Sequence, residues 1–285
     1  MTAYFVYDVF TDAPFGGNQL AVIPDAAVLP DAQLQKIARE FNYSESVFLY
    51  PPDVPDQTAR IRIFTPSTEV PFAGHPTIGA AVALADLGHG PDMVLGLGIG
   101  PLEARAQDGT AEFAVPARLE TFGEPEPALV ARCLGLPPEA IVTDRHVPVQ
   151  ASLGLAFVFA ELRDRADLSA CVPVTDAVRE GAARYPAALD FAIFAYVRDA
   201  DTLHARMFAP LDGVPEDPAT GSASATVTAL LERVEQRPLA LTIRQGEDMG
   251  RPSLIYTETV HAGPSCTAIR VRGNAVRTME GRLTL

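Results

Sequence analysis

The sequence predicts an α+β protein built from two similar halves. A short frame of Glu, Pro and Gly occurs at residues 69–74 (EVPFAG) and again at 216–221 (EDPATG), with a constant spacing of 147 residues (216 − 69 and 221 − 74). Each copy follows a strand-like run and precedes small and apolar residues that favour one tightly packed helix. A spacing near half of the 285 residues indicates a duplicated domain rather than a short repeat.

The repeated stretch has the character of a strand, a tight turn and a helix start. Residues 62–66 (RIFTP) are similar to 206–210 (RMFAP), so the likeness extends into the preceding strand. Gly74 and Gly221 permit the backbone to approach a ligand closely. The first turn of a helix presents N–H groups and a partial positive charge, which together bind anions. We therefore expect the two helix starts to face one another and to hold one small carboxylate.

The other elements of the first half follow from periodicity. A helix is predicted at 31–41, where apolar residues recur at helical spacing and Asp31 is placed to cap the start. Asp108-Gly109 predicts a hairpin turn. The glycine-rich residues 96–100 are interpreted as another hairpin, because no helix-like segment follows them. Strands are predicted at 3–10, 19–23, 46–50, 59–65, 93–99 and 102–115.

The second half has the same general make-up. Residues 116–127 contain three prolines and several acids, and they are typical of a domain boundary. Many strands with one central helix in each half, without regular strand–helix alternation, indicate the α+β class. Helices are predicted at 128–136, 175–185 and 222–231, and strands at 141–149, 154–160, 191–197, 203–207 and over most of 239–285.

The composition disfavours several classes of partner. A net charge of −14 at pH 7 argues against nucleic acid and anionic membranes, both of which require basic patches. A content of 48% hydrophobic and 20% charged residues is typical of a globular enzyme with a sizeable core. No uncharged run reaches the ~20 residues that span a bilayer, and no signal peptide is apparent, so a cytoplasmic location is expected.

The reactive side chains predict neither a metal site nor an organic cofactor. Cys133, Cys171 and Cys266 are scattered, and the five histidines show no ligand spacing, so neither disulfides nor zinc are expected. Lys36 is the only lysine and lies on a predicted surface helix, which argues against Schiff-base chemistry. The sequence has no phosphate-binding loop and no nucleophile elbow.

Five short motifs, taken as an ordered set, resemble the signatures of the phenazine-biosynthesis isomerase-like (PhzF) family. They lie at 17–18 (GN), 42–45 (NYSE), 71–77 (PFAGHPT), 216–222 (EDPATGS) and 245–253 (QGEDMGRPS). The resemblance implies the diaminopimelate-epimerase-like fold, in which two pseudo-symmetric domains each wrap a β-barrel-like sheet around a central helix and flank the active site.

The same resemblance suggests the domain limits and the assembly. The expected domains are 1–118 and 119–277, with a final strand at about 278–285 returning to the first. A homodimer is expected. Gln19 stands where many members have Pro, and Ser46 where Thr is commoner; both departures concern the pocket wall and hence the substrate.

The resemblance also implies the catalytic residues. Related epimerases and racemases carry Cys immediately before the Gly of each repeated motif, where this sequence has Ala73 and Thr220. The protein therefore cannot invert the configuration of a carbon atom with a pair of thiols. Moving a proton between carbons needs a base that can take the proton and give it back, and Glu45 matches the family's catalytic glutamate. His75 and Asp217 match its polar partners.

The sequence thus predicts a cofactor-independent isomerase that shifts a proton within a small carboxylate-bearing substrate similar to a dihydro-hydroxyanthranilate. Two alternatives stay open: an epimerase with altered bases, and a non-catalytic ligand-binding or protein-interaction module on the same fold. Glu69 and Glu216 are expected to be structural and to fix the turn. The expected substrate-binding residues are Asn18, Gly74, Gly221 and Ser222.

Overall fold

The chain divides into two structural units. A computed structural model of the protein describes residues 1–187 and 189–285. The first unit comprises Met1–Ala114 with Val271–Leu285, and the second comprises Val115–Arg270. The domain limits expected from the sequence, 118/119 and 277/278, lie 4 and 7 residues further along the chain (118 − 114 and 277 − 270). In the described ranges, no helix has the length and apolar character needed to cross a membrane.

Most of the regular structure is β-strand. Up to residue 116 the strands are β1 (Thr2–Val9), β2 (Asn18–Ile23), β3 (Glu45–Tyr50), β4 (Ala59–Phe64), β5 (Glu69–Val70), β6 (Asp92–Leu97), β7 (Gly100–Gln107) and β8 (Thr110–Pro116), and the helices are α1 (Asp31–Phe41) and α2 (Gly74–Asp86).

Beyond residue 116 the strands are β9 (Glu120–Gly123), β10 (Ile141–Val142), β11 (Val149–Ser152), β12 (Ala156–Leu162), β13 (Ile193–Asp199), β14 (Thr202–Ala209), β15 (Val214–Asp217), β16 (Ala240–Gln245), β17 (Ser253–Ala262) and β18 (Ser265–Leu283). The helices of this part are α3 (Pro127–Cys133), α4 (Arg165–Ala170), α5 (Thr175–Arg184) and α6 (Gly221–Glu235).

The strands of the first unit close into a barrel. β1 pairs with β2, β2 with β3, β3 with β4, β4 with β6, β6 with β7, and β7 with β8. β18 completes the ring because it pairs with both β8 and β1. Near this closure the Ala275 N–H donates to the Gly109 carbonyl at 2.8 Å. The β2/β3 and β4/β6 pairs are parallel.

Helix α2 fills the barrel of the first unit. It contacts β1, β2, β3 and β7, and every residue from Gly74 to Leu84 is buried. Small residues make this close packing possible. A Cβ atom at Gly79 would lie 2.4 Å from Leu20 Cδ2 and 2.8 Å from Val9 Cγ2, so the helix backbone lies directly against two strands.

The second unit repeats the pairing order of the first. β11 pairs with β12, β12 with β13, β13 with β14, β14 with β16, and β16 with β17, and the β12/β13 and β14/β16 pairs are parallel. Helix α6 corresponds to α2: it contacts β11 and β17, and it buries every residue from Ala223 to Leu231. The prediction of two similar α+β halves with one central helix each is therefore confirmed.

Helix α6 buries several hydroxyl groups by satisfying them within the helix. Ser224 donates to the Thr220 carbonyl at 2.9 Å, and Thr228 donates to the Ser224 carbonyl at 2.8 Å. These bonds run to the carbonyl four residues earlier, which is a common way for Ser and Thr to lie inside a helix. The small polar residues that follow Gly221 are therefore compatible with a buried position.

Local sequence signals gave some elements correctly and others wrongly. The α1 helix and the Asp108-Gly109 hairpin are confirmed, and both turn residues have positive φ values of 51° and 75°. The cap assigned to Asp31 is wrong: Pro30 is the N-cap, and the Asp31 carboxylate instead accepts a hydrogen bond from Arg62 at 2.9 Å. Helix α4 was not predicted, because six residues are too few to show a period.

Replacing Gly79 by Ala is expected to destabilise the protein by ~1–3 kcal/mol, because a methyl group there overlaps Leu20 and Val9. This cost exceeds the ~1 kcal/mol that Ala gains over Gly in a helix. Gly90→Ala is the matched control, since nothing lies within 4 Å of the position its Cβ would take. Urea unfolding followed by circular dichroism measures both variants. A Gly79→Ala protein as stable as the wild type would contradict the tight enclosure of α2.

Candidate active site

An Arg–Glu ion pair fixes the turn before the central helix in each unit. Arg62 on β4 makes two hydrogen bonds to Glu69, both at 2.7 Å. Arg206 on β14 makes two hydrogen bonds to Glu216, both at 2.8 Å. Each guanidinium also lies over a phenylalanine ring of its own strand. The structural role expected for Glu69 and Glu216 is thus confirmed.

The ion pair of the second unit is the more buried one. The Arg206 side chain is 11% exposed, whereas that of Arg62 is 21% exposed. Arg206 Nη1 also donates to the carbonyl oxygens of Leu168, Ser169 and Cys171, at the end of α4. Arg206 therefore ties α4 to the turn that precedes α6.

Replacing the arginine of each ion pair in turn tests whether the more buried pair stabilises the protein more. Arg206→Met is expected to lower the free energy of unfolding by up to ~3 kcal/mol, because it leaves a partly buried carboxylate and three carbonyl groups without their donor. Arg62→Met is expected to cost ~1 kcal/mol or less, as for an ion pair nearer the surface. Chemical denaturation of both variants makes the comparison. Equal losses would mean that the extra contacts of Arg206 add nothing.

Glu45 and His75 form a close pair in the first unit. Glu45 begins β3, and His75 is the second residue of α2. His75 Nδ1 lies 3.1 Å from Glu45 Oε2; the His75 side chain is 4% exposed and that of Glu45 is 19% exposed. The other ring nitrogen, His75 Nε2, lies 3.3 Å from the backbone carbonyl oxygen of Gln19 on β2. The first residues of β2, β3 and α2 therefore meet at this pair.

The partners of His75 determine how many protons the pair holds. A carbonyl oxygen only accepts, so Nε2 must carry a hydrogen in order to bond to Gln19. Nδ1 and Glu45 Oε2 then need one proton between them, since two lone pairs do not form a hydrogen bond. The pair is either a carboxylate with an imidazolium or a carboxylic acid with a neutral imidazole. Both forms suit a group that gives and takes protons.

Asn18 lies at the start of β2 and is linked to the segment that carries Glu45. Its side chain is buried, and the Ser44 hydroxyl donates to Asn18 Oδ1 at 3.4 Å. The parallel pairing of β2 with β3 places Leu20 opposite Glu45. The structure thus brings together three of the residues predicted from the sequence, Asn18, Glu45 and His75, with Gly74 next in the chain.

Asp217 lies in a hydrogen-bond network of the second unit. The Thr220 hydroxyl donates to Asp217 Oδ2 at 2.6 Å. Gln245 is fully buried, and its Nε2 donates to the Asp217 carbonyl at 2.7 Å and to Thr220 Oγ1 at 2.9 Å. Gln245 Oε1 accepts from the Thr220 N–H at 3.1 Å. This network orients the Asp217 side chain at the start of α6.

The role of Gln245 was not predicted from the sequence. The sequence feature that could have pointed to Gln245 is the glycine that follows it. Gly246 has a φ of 73°, and a Cβ atom there would lie 2.3 Å from the Arg251 carbonyl and 2.7 Å from the Pro218 carbonyl, so only glycine fits. The sequence identified Thr220 only as the residue that replaces a cysteine of related enzymes. Its hydroxyl bond to Asp217 was not predicted.

Gly74 and Gly221 are the first residues of α2 and α6, as predicted. Within the described part of the chain, neither N-cap residue, Ala73 or Thr220, makes a side-chain cap hydrogen bond. Helix starts of this kind are suited to binding an anion through backbone N–H groups. That the two starts open onto one cleft, and that Ser222 binds substrate there, stay predictions.

The fold is shared with a PhzF-family protein and with a racemase. The PhzF-family phenazine biosynthesis protein of Bacillus anthracis matches the structure with a TM-score of 0.87 at 23% identity, over 100% of this chain and 99% of that one. A probable proline racemase of Agrobacterium radiobacter K84 matches with a TM-score of 0.65 at 13% identity, over 100% and 93% of the two chains. The protein therefore has the fold of the racemase and epimerase class.

The sequence comparisons narrow this class to one family. The family model for phenazine biosynthesis-like proteins matches residues 7–281. Trans-2,3-dihydro-3-hydroxyanthranilate isomerase of Pseudomonas aeruginosa is 36% identical over 294 residues, which cover 100% of both chains. The chain belongs to the PhzF family of phenazine biosynthesis-like proteins, and it is an isomerase.

Proposed function

We propose that this isomerase moves a proton between carbon atoms of a small carboxylate-bearing substrate, with Glu45 removing the proton and returning it. The observation that carries the proposal is the Glu45–His75 pair, in which 3.1 Å separates a carboxyl oxygen from a ring nitrogen. Of the two side chains, Glu45 is the more exposed, at 19% against 4% for His75. Glu45 is therefore the group that a substrate can reach.

The proposed reaction uses both protonation states of Glu45. As a carboxylate beside the His75 imidazolium, Glu45 takes a proton from one carbon of the substrate. As the resulting carboxylic acid, it delivers that proton to another carbon of the same molecule. The proton gained equals the proton lost, so the step balances without an oxidant or a reductant. The Gln19 carbonyl keeps the His75 ring oriented throughout.

The proposed substrate class rests on a relative and on the helix starts. The relative that is 36% identical is named for trans-2,3-dihydro-3-hydroxyanthranilate, and an anthranilate carries a carboxylate. A helix start favours an anion by ~0.3–1 kcal/mol, which supports carboxylate binding at Gly74 and at Gly221. We propose Asn18 and Ser222 as further substrate-binding residues. No metal or organic cofactor takes part in the proposed step.

Asp217 is proposed as a further catalytic residue, and Thr220 as the residue that positions it. Thr220→Val keeps the shape and removes the hydroxyl donor, so kcat is expected to fall by ~10²-fold with little change in KM, because misorientation of a reacting group carries a cost of that order. Thr220→Ser is the matched control and should restore the rate. Equal activity of the Val and Ser variants would contradict the positioning role.

Replacing Glu45 by Gln tests the base directly. The variant keeps the shape and removes the base, so exchange of substrate hydrogen with deuterated solvent should fall by ~10²–10⁴-fold while ligand binding survives. Mass spectrometry of trans-2,3-dihydro-3-hydroxyanthranilate, and then of other small carboxylates, measures the exchange. Glu103→Gln changes an exposed glutamate on β7 of the same unit and should exchange at the wild-type rate.

Three other outcomes would each decide between alternatives. If the Glu45→Gln variant exchanges substrate hydrogen at the wild-type rate, Asp217 and not Glu45 would be the base. A wild-type protein that exchanges none of the carboxylates would favour a ligand-binding or protein-interaction module on this fold. Exchange with inversion at one carbon, without migration of hydrogen to another, would identify an epimerase with altered bases.

A further inference from the structure

Three side chains of metal-ligating type meet in the second unit, far from the start of α6. Glu232 lies in the last turn of α6, His261 near the end of β17, and Cys266 near the beginning of β18. Their ligand atoms all lie within 4.8 Å of one another. Glu232 follows Gly221 by 11 residues (232 − 221), which is ~16 Å along the helix, so the cluster is separate from the Asp217 network.

Packing of α6 against β17 brings two of these residues together. The Thr228 and Thr257 hydroxyls form a hydrogen bond of 2.6 Å between the two elements. Glu232 comes one helical turn after Thr228, and His261 comes an even number of strand residues after Thr257. Both therefore lie on the same face of their element as that contact.

A hairpin brings the third residue into the cluster. β17 and β18 are joined by a short turn, and the Thr267 hydroxyl donates to the Val260 carbonyl at 3.1 Å across the two strands. His261 and Cys266 are the next residues toward the turn on either strand. The cysteine is thereby placed beside the histidine, and the Cys266 Sγ contacts the Ala268 carbonyl at 3.5 Å.

His261 presents a buried ring nitrogen to this cluster. Among the described residues, Nε2 has no hydrogen-bond partner. Glu232 Oε1 lies 3.8 Å from it, which is too far for a hydrogen bond. Two ligands of a tetrahedral zinc ion, each ~2.0–2.1 Å from the metal, are ~3.4 Å apart. The observed separation is therefore close to the one that a shared ion requires.

We propose that Glu232, His261 and Cys266 bind one Zn²⁺ ion per chain. Carboxylate, imidazole and thiolate are the groups that zinc takes as ligands, and three protein ligands leave a fourth position open. The last turn of a helix carries a partial negative charge, which favours a cation. This proposal departs from the expectation of no metal site, which rested on sequence spacing alone.

The fourth position is accessible to a small ligand. Glu232 and His261 line a surface depression of about 560 Å³, together with Arg233 and Arg237. Arg237 forms an ion pair with Glu235 at 2.8 Å, which offsets its repulsion of a cation. A water molecule or a small anion completes the coordination.

Titration of chelator-treated protein with Co²⁺ tests the proposal, because cobalt accepts the same ligands and a cobalt–thiolate bond gives near-ultraviolet charge-transfer absorption. We expect one Co²⁺ per chain, the charge-transfer band, and its loss when Zn²⁺ displaces the cobalt. Cys266→Ser should abolish the band and weaken Zn²⁺ binding by at least ~100-fold, since even changes outside the ligand set cost 10–100-fold. His261→Asn should weaken binding to a similar extent.

A matched variant and a second measurement complete the experiment. His89→Asn changes an exposed histidine of the first unit and should bind as the wild type does. Zinc should also slow alkylation of Cys266 in the wild-type protein, which avoids dependence on any variant that fails to fold. Cys133 and Cys171 do not interfere, because burial raises the pKa of each thiol to about 12.

Three results would each overturn the zinc site. They are wild-type protein that binds no stoichiometric metal, cobalt binding without the thiolate band, and alkylation of Cys266 that zinc does not slow. The isomerase activity plays no part in these measurements, so their outcome is independent of the role of Glu45.

Discussion

Enclosure of a helix inside a closed barrel is the constraint on which the rest of the first unit depends. A helix surrounded by strands favours small side chains, and its polar groups must be satisfied locally, as where the Thr77 hydroxyl donates to the Ala73 carbonyl at 2.8 Å. The middle of such a helix is packed on all sides. Its first turn is where it can meet a ligand, and there His75 reaches Glu45.

The two units share the same backbone arrangement but have different polar residues at the start of the central helix. Strand order, the Arg–Glu pair and the helix start recur, whereas the residues at the helix starts have diverged. Ala73 is the N-cap of α2, and His75, which pairs with Glu45, lies two residues beyond it; Thr220 is the N-cap of α6, and its hydroxyl donates to Asp217. An Arg–Glu pair holds the turn in each unit, so the two helices start at matching positions although the residues at their starts differ.

Features determined by neighbouring residues could be predicted from the sequence, and features determined by distant ones could not. The helix starts at Gly74 and Gly221 depend on local turn chemistry, and so does the hairpin at Asp108-Gly109. The cap predicted at Asp31 does not form, and the Asp31 carboxylate instead pairs with Arg62, 31 residues away. Gln245 reaches Thr220 across 25 residues, and only the register of β16 against β14 brings them together. Motifs named Glu45 and His75 as site residues, but only the structure shows that His75 Nδ1 lies 3.1 Å from Glu45 Oε2.

The last strand of the chain has a consequence for biosynthesis. Thr2 pairs with Leu283, so the barrel of the first unit needs two strands, β1 and β18, that are separated by the whole of the second unit. The second unit, Val115–Arg270, is contiguous and needs no such partner. A ribosome releases residues 1–114 before residues 115–270, yet the first unit completes its barrel only after β18 has emerged. Until then β1 and β8 lack their β18 partner, and such open strand edges invite pairing with other chains. The half that is made first is therefore the one that depends longest on protection from aggregation.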